Sequence, residues 1–143
     1  MFNLSPVNTE ELKTTILKRA NEIEESIGLR VPDEDIDGLV GKLNGLSSLT
    51  GTMSASFADA KRLLRHKQLE IIKKLVKENP DLQPSVLNKM VDAECGDEDA
   101  LFAYCDRLRS GLTSTMEDIV TLISLWKAEY MQGNKEARIY KKQ

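Results

Sequence analysis

The chain has 143 residues, of which 41% are hydrophobic and only 5% aromatic, and it carries a net charge of −3. That length suits a single domain, and the scarcity of aromatics points to a Leu, Ile, Val and Met core of the kind helical bundles use. The acidic balance excludes a general nucleic-acid binder, and two cysteines with one histidine, Cys95, Cys105 and His66, exclude a structural zinc site on ligand count.

In chain order, MFNLSPVNTEEL shows no basic segment leading into an apolar stretch. No run approaches the ~18 apolar residues of a membrane span, so the expected location is cytoplasmic, with no membrane contact. A first helix is predicted over 9–27. Asn8 is placed as its N-cap and Glu11 reaches back three residues later, a capping-box arrangement. Leu12, Ile16, Ala20, Ile23 and Ile27 form one apolar stripe, and Gly28 is suited to the position after the helix.

Pro32 with Asp33, Glu34 and Asp35 opens a long second helix over 33–79, its negative charge facing the positive end of the helix dipole. Its apolar residues Ile36, Leu39, Leu43, Leu46, Met53, Phe57, Ala60, Leu64 and Ile71 recur at threes and fours, the spacing of a coiled-coil seam. Gly38, Gly41, Gly45 and Gly51 each weaken a helix by about 1 kcal/mol relative to Ala. They leave two readings open. The helix breaks near 46–51 in a hinge, or the small residues Gly41, Gly45, Ser48, Thr52 and Ala55 form a stripe that a second helix backbone approaches closely.

Asn79-Pro80 ends that run, and Pro84 starts a short helix over 84–93. Asp97, with Glu98 and Asp99 in the first turn, caps a last long helix over 97–132, along which Leu101, Cys105, Leu108, Leu112, Ile119, Leu122 and Trp126 continue the three-and-four spacing. Cys105 and Trp126 are expected to be buried on that seam. Residues 133–143 read as a polar, basic tail carrying Tyr140. The predicted class is therefore all-α, about four helices in one domain, dominated by an antiparallel pair of long helices. Leu39, Leu43, Leu46, Met53, Phe57, Leu108, Leu112, Ile119 and Trp126 offer more apolar length than a short partner helix covers, so they are expected to form the seam of a homo-oligomeric bundle.

Catalytic chemistry finds little support. There is no Gly-rich phosphate loop, no HExxH and no Ser-His-Asp order. The acidic clusters around Asp33–Asp37 and Asp92–Asp99 lie at helix starts, where dipole compensation accounts for them. The expectation is a non-enzymatic protein without cofactor. The basic stretch of the second helix is the stronger binding signal. Arg62, Arg65, His66 and Lys73 fall broadly on one side, opposite Leu64, Ile71 and Leu75, where arginine forks suit a phosphate or an acidic protein partner. The alternative is a solvated face whose cations complement the helix C-terminus.

Two segments, SASFADAKRLLRHKQLEIIKKL (Ser54 to Leu75) and YCDRLRSGLTSTMEDIVTLISLWKAEY (Tyr104 to Tyr130), resemble small all-helical proteins of bacteriophages and prophages, many of uncertain function. The shared positions are Ala60, Lys61 and Leu63, then Leu112, Thr113, Ile123, Ser124, Lys127 and Glu129, and they define no catalytic residue. The resemblance implies a phage-encoded binding protein. One role is counter-defence, sequestering a host factor or a nucleotide second messenger. The other is an accessory to phage DNA replication or recombination, contacting nucleic acid or a recombination protein; the acidic total charge disfavours strong DNA binding.

Overall fold

A computed structural model describes the chain from residue 6 to residue 141, with side chains from 9 to 136. It is all-α: α1 (Pro6–Gly28), α2 (Ile36–Glu78), α3 (Pro84–Glu94) and α4 (Gly96–Lys141), with no strand among the described residues. Helices α2 and α4 run antiparallel and make the most extensive contact in the chain, α1 packs across one flank of the pair, and α3 covers part of the C-terminal half of α2.

Why α2 stays whole follows from its buried positions. Leu39, Leu46, Met53 and Ala60 fall one heptad apart and are at most 3% exposed, as are Cys105 and Leu112 on α4, with Ile119 at 4%. Each large side chain removed from water contributes about 1.5–3 kcal/mol, whereas each glycine costs about 1 kcal/mol. A break near 46–51 would throw the stripe on one side of it out of register with α4. Burial wins, and the helix is continuous across its glycines.

The oligomer seam expected from the sequence is therefore spent inside one chain. Leu39, Leu46, Met53, Leu108, Leu112 and Ile119 are buried, and Leu43 and Phe57 pack against the same core, where the Phe57 ring meets Phe102 at 5.1 Å. Ile16, Ala20 and Ile23 of α1, all fully buried, complete that core. Trp126 departs from the expectation: it keeps the heptad phase of Leu112 and Ile119 but is 38% exposed. Counting back from Phe57 to Ile36 and forward equally from Phe102 reaches Ile123, so α2 has begun too late to cover Trp126.

Helix ends also differ from expectation. α1 begins at Pro6, so Asn8 lies inside the helix rather than capping it, and Gly28 belongs to its last turn with no positive φ. The cap of α2 is Asp35, whose carboxylate accepts from the Gly38 amide at 3.0 Å, leaving Asp33 and Glu34 in the preceding turn. Lys42 secures that turn by donating to the Leu29 carbonyl at 2.6 Å. α3 starts on Pro84 as expected, and α4 begins at Gly96, one residue before Asp97. Residues 133–141, read from the sequence as a tail, continue α4; the Tyr140 side chain lies outside the described residues.

Among the described residues no helix backbone packs closely on the small-residue stripe, and Ser26, Leu29 and Val31 face Gly41, Gly45 and Ser48 only across an open groove. Gly41, Gly45, Ser48 and Ala55 are exposed and Thr52 half-buried, and a Cβ added at Gly41, Gly45 or Gly51 meets nothing within 4 Å. Gly38 is different: a Cβ there would strike the Asp35 carboxylate and approach the Val31 side chain to 2.9 Å. Gly45→Ala and Gly51→Ala are therefore expected to stabilise the fold by about 0.5–1 kcal/mol each. Gly38→Ala should destabilise it by displacing the cap, at about 1 kcal/mol. Urea denaturation followed by circular dichroism measures all three, and equal signs at Gly38 and Gly45 would refute the assignment.

Candidate functional site

Three regions carry chemistry beyond packing. The first is the basic outer face of α2. Arg62, Arg65, Leu69, Lys73 and Val76 recur at threes and fours on the side opposite Ala60, Leu63 and Ile71, which are buried against the other helices. Arg65 and Lys73 are exposed, and His66 is half-buried at the edge of the face. Arg62 lies 3.5 Å from Asp59 one turn earlier. The structure thus brings the four sequence-selected residues to one face of one helix. Exposed Leu69 (57%) and Val76 (45%), which were not singled out from the sequence, sit among the cations.

The second is an apolar cleft of about 700 Å³ between α2 and α4, on the flank that α1 leaves open. Met53 and Leu112 form its floor, Leu43, Met116 and Val120 its walls, and Thr50, Ser54, Thr113 and Thr121 its rim. At one end the Arg109 guanidinium stacks over the Phe57 ring at 4.0 Å and pairs with Asp106 at 3.0 Å. Each residue here is legible as seam or flank, but the cleft depends on α1 choosing one side of the α2–α4 pair, which periodicity does not specify.

The third is an ionic clamp at the start of α4. Glu98, only 4% exposed, accepts from the Lys13 ammonium of α1 at 2.6 Å. Burial pushes the Glu98 carboxyl up, but the Lys13 hydrogen bond, a backbone hydrogen bond and the charges of Lys13 and Lys67 together outweigh it and hold the group below the ordinary carboxylate value. The hydrogen bond to Glu98 correspondingly raises Lys13. From sequence, Glu98 read only as dipole compensation; its partner across the bundle gave no local signal. Two turns on, the Tyr104 hydroxyl donates to Glu24 and lies 3.0 Å from the Asn21 amide oxygen. Burial, reinforced by the Glu24 carboxylate, pushes Tyr104 up to about 12. Cys95 and Cys105 are buried and free, and burial raises both thiols, so both behave as small apolar residues.

No group of three or more His, Cys, Asp or Glu among the described residues is placed to hold a metal ion, and no helix there is long and apolar enough to cross a membrane. No protein-family model matches the chain, and comparison with curated proteins and with solved structures yields no match.

The clamp makes stability depend on pH in a definite sense. A carboxyl held low in the folded state stabilises that state above its unfolded value, near 4.5, and the contribution is lost as pH falls through the lowered folded value. Glu98→Gln should flatten that part of the acid limb. Lys13→Met, which leaves the carboxylate buried without its partner, should cost about 2 kcal/mol at pH 7. Denaturant melts between pH 2 and 7, on the order of one per pH unit, read both effects; an unchanged acid limb in Glu98→Gln would show that the pair contributes nothing.

Proposed function

We propose that the protein is a non-enzymatic, phage-type binding module that sequesters an anionic host factor on the basic outer face of α2. The observation that carries this reading is the mixture on that face: Arg62, Arg65 and Lys73 with exposed Leu69 between them and exposed Val76 one turn beyond. Cations alone at the end of a helix are accounted for by the dipole. Exposed aliphatic side chains beside them add apolar area that a protein partner can cover. Arginine together with apolar area is the composition of a protein-recognition surface, and the exposed cations give it a preference for acidic partners.

A protein partner fits better than a nucleotide second messenger. Small ligands bind in concave sites that enclose most of their surface. The four basic residues lie on the outward curve of a single helix, and none of them lines the α2–α4 cleft. An accessory role on phage DNA would use the same cations, but the chain's net charge of −3 works against an extended phosphate backbone. The counter-defence role rests on the sequence resemblance and on this surface together.

Fluorescence anisotropy with a labelled acidic peptide and a labelled oligonucleotide of equal charge tests the reading. The peptide should bind the wild-type protein, more weakly as salt rises from about 50 to 200 mM. Arg62→Ala/Arg65→Ala should weaken binding at least about tenfold, a loss of about 1.4 kcal/mol, with helicity unchanged. Unaltered peptide affinity in the double variant would remove this face from consideration, and preference for the oligonucleotide would move the protein to the nucleic-acid role.

A further inference from the structure

Away from the basic face, two of the apolar features that the described residues leave uncovered lie close together along α4. One is the α2–α4 cleft, the position a fourth helix would occupy in a four-helix bundle. The other is the end of α4. The last α4 side chains packed on the core are Leu122 and Ile123, and every described side chain from Ser124 to Glu136 is exposed. The helix nevertheless continues to Lys141, so an arm of ~27 Å projects past the start of α2, at about 1.5 Å per residue. The part of the arm nearest the core carries exposed apolar side chains, whereas residues 133–141 beyond it are mostly polar. Trp126 and Tyr130 stack with centroids 5.4 Å apart and planes 8° from parallel, and Leu125 and Met131 are 57% and 58% exposed beside them.

We propose that a second copy of the chain closes the cleft: the α4 arm of each protomer lies in the α2–α4 cleft of its partner, in a reciprocal two-fold pair. Dimensions agree, since the α2 wall from Leu43 to Ser54 extends ~17 Å at the same rise per residue, shorter than the arm. So does hydrogen bonding. The Trp126 indole N–H and Tyr130 hydroxyl need acceptors once covered. On the cleft rim, Thr113 and Thr121 already donate to the Arg109 and Glu117 carbonyls at 3.2 and 3.0 Å, which leaves their oxygen lone pairs free to accept.

Area decides between reciprocal exchange and simple pairing of two arms. A stable dimer buries about 800 Å² per partner. An aromatic side chain supplies about 150–250 Å² when fully buried, so two part-exposed rings facing two others fall well short. In the reciprocal arrangement each protomer contributes both an arm and a cleft, so each buries two surfaces where arm-to-arm pairing buries one. The contact is also continuous with the interface already present, because Trp126 holds the heptad phase of Leu112 and Ile119. A neighbouring copy would carry the α2–α4 packing onward past the start of α2. Both halves come from one sequence, so the interface is isologous and closes at two copies.

Sedimentation velocity over a range on the order of 1–100 µM tests this, with two variants whose altered side chains are exposed in the single chain. Trp126→Ala/Tyr130→Ala damages the arm and leaves the cleft intact; Val120→Glu places a charge on the cleft wall and leaves the arm intact. The wild-type chain should be dimeric. Each variant should raise the dissociation constant at least about tenfold with unchanged circular dichroism. An equimolar mixture of the two, which restores one arm–cleft contact, should associate more tightly than either variant alone. A monomeric wild-type chain would overturn the proposal and leave the cleft to a different partner. Dissociation by the arm variant but not by Val120→Glu would overturn it in favour of arm-to-arm pairing.

Discussion

The structure depends on α2 remaining a single unbroken helix against α4. Residues Leu39, Leu46, Met53 and Ala60 meet the α4 stripe only if their heptad phase survives the stretch holding Gly41, Gly45 and Gly51. A hinge there would recover a few kcal/mol of helix propensity and lose the burial of the residues beyond it, and the comparison favours the unbroken helix. The remaining architecture follows. α1 uses Ile16, Ala20 and Ile23 to close one side of the α2–α4 pair, and the Lys13–Glu98 clamp fixes α1 against the start of α4. α3 sits where Ile71 and Leu75 emerge beyond the reach of α1, burying Val91 and Cys95.

Much of this was legible in the sequence because it is periodic. The two long helices, the short helix starting on Pro84 and the buried Cys105 all follow from apolar spacing and proline chemistry. What spacing cannot supply is the identity of the partner surface. The stripe from Leu39 to Ile119 fits equally an intermolecular seam and an intramolecular one. Nor does phase report length: Trp126 is in register with a buried stripe, yet its exposure is decided by where α2 starts, a property of a different segment. Capping was similarly ambiguous. Asn8 and Asp35 are both good caps locally, and only Asp35 is used as one.

The candidate site divides in the same way. That Arg62, Arg65, His66 and Lys73 share a side of α2 was accessible from helical geometry alone. That Leu69 and Val76 lie exposed among them was not, because an aliphatic residue on a helix reads as core until the positions of its neighbours are known. The small-residue stripe is the converse case. Gly41, Gly45, Ser48 and Ala55 have the pattern of close helix packing, but among the described residues no helix backbone approaches them closely.

The basic face and the cleft lie on different sides of α2, and this separation has a consequence. Arg62, Arg65 and Lys73 are on the C-terminal half of α2 facing outward, whereas the cleft runs along its N-terminal half facing α4. Closing the cleft with a second copy would leave the basic face open on both protomers. Two such faces held at a fixed separation bind a partner that itself presents two acidic sites more tightly than either face alone, since the second contact forms at the high effective concentration set by the first. On the proposed reading, a face of only modest affinity, as an exposed cationic surface screened by salt must have, would sequester such a partner effectively by that route. No enclosed ligand pocket is required.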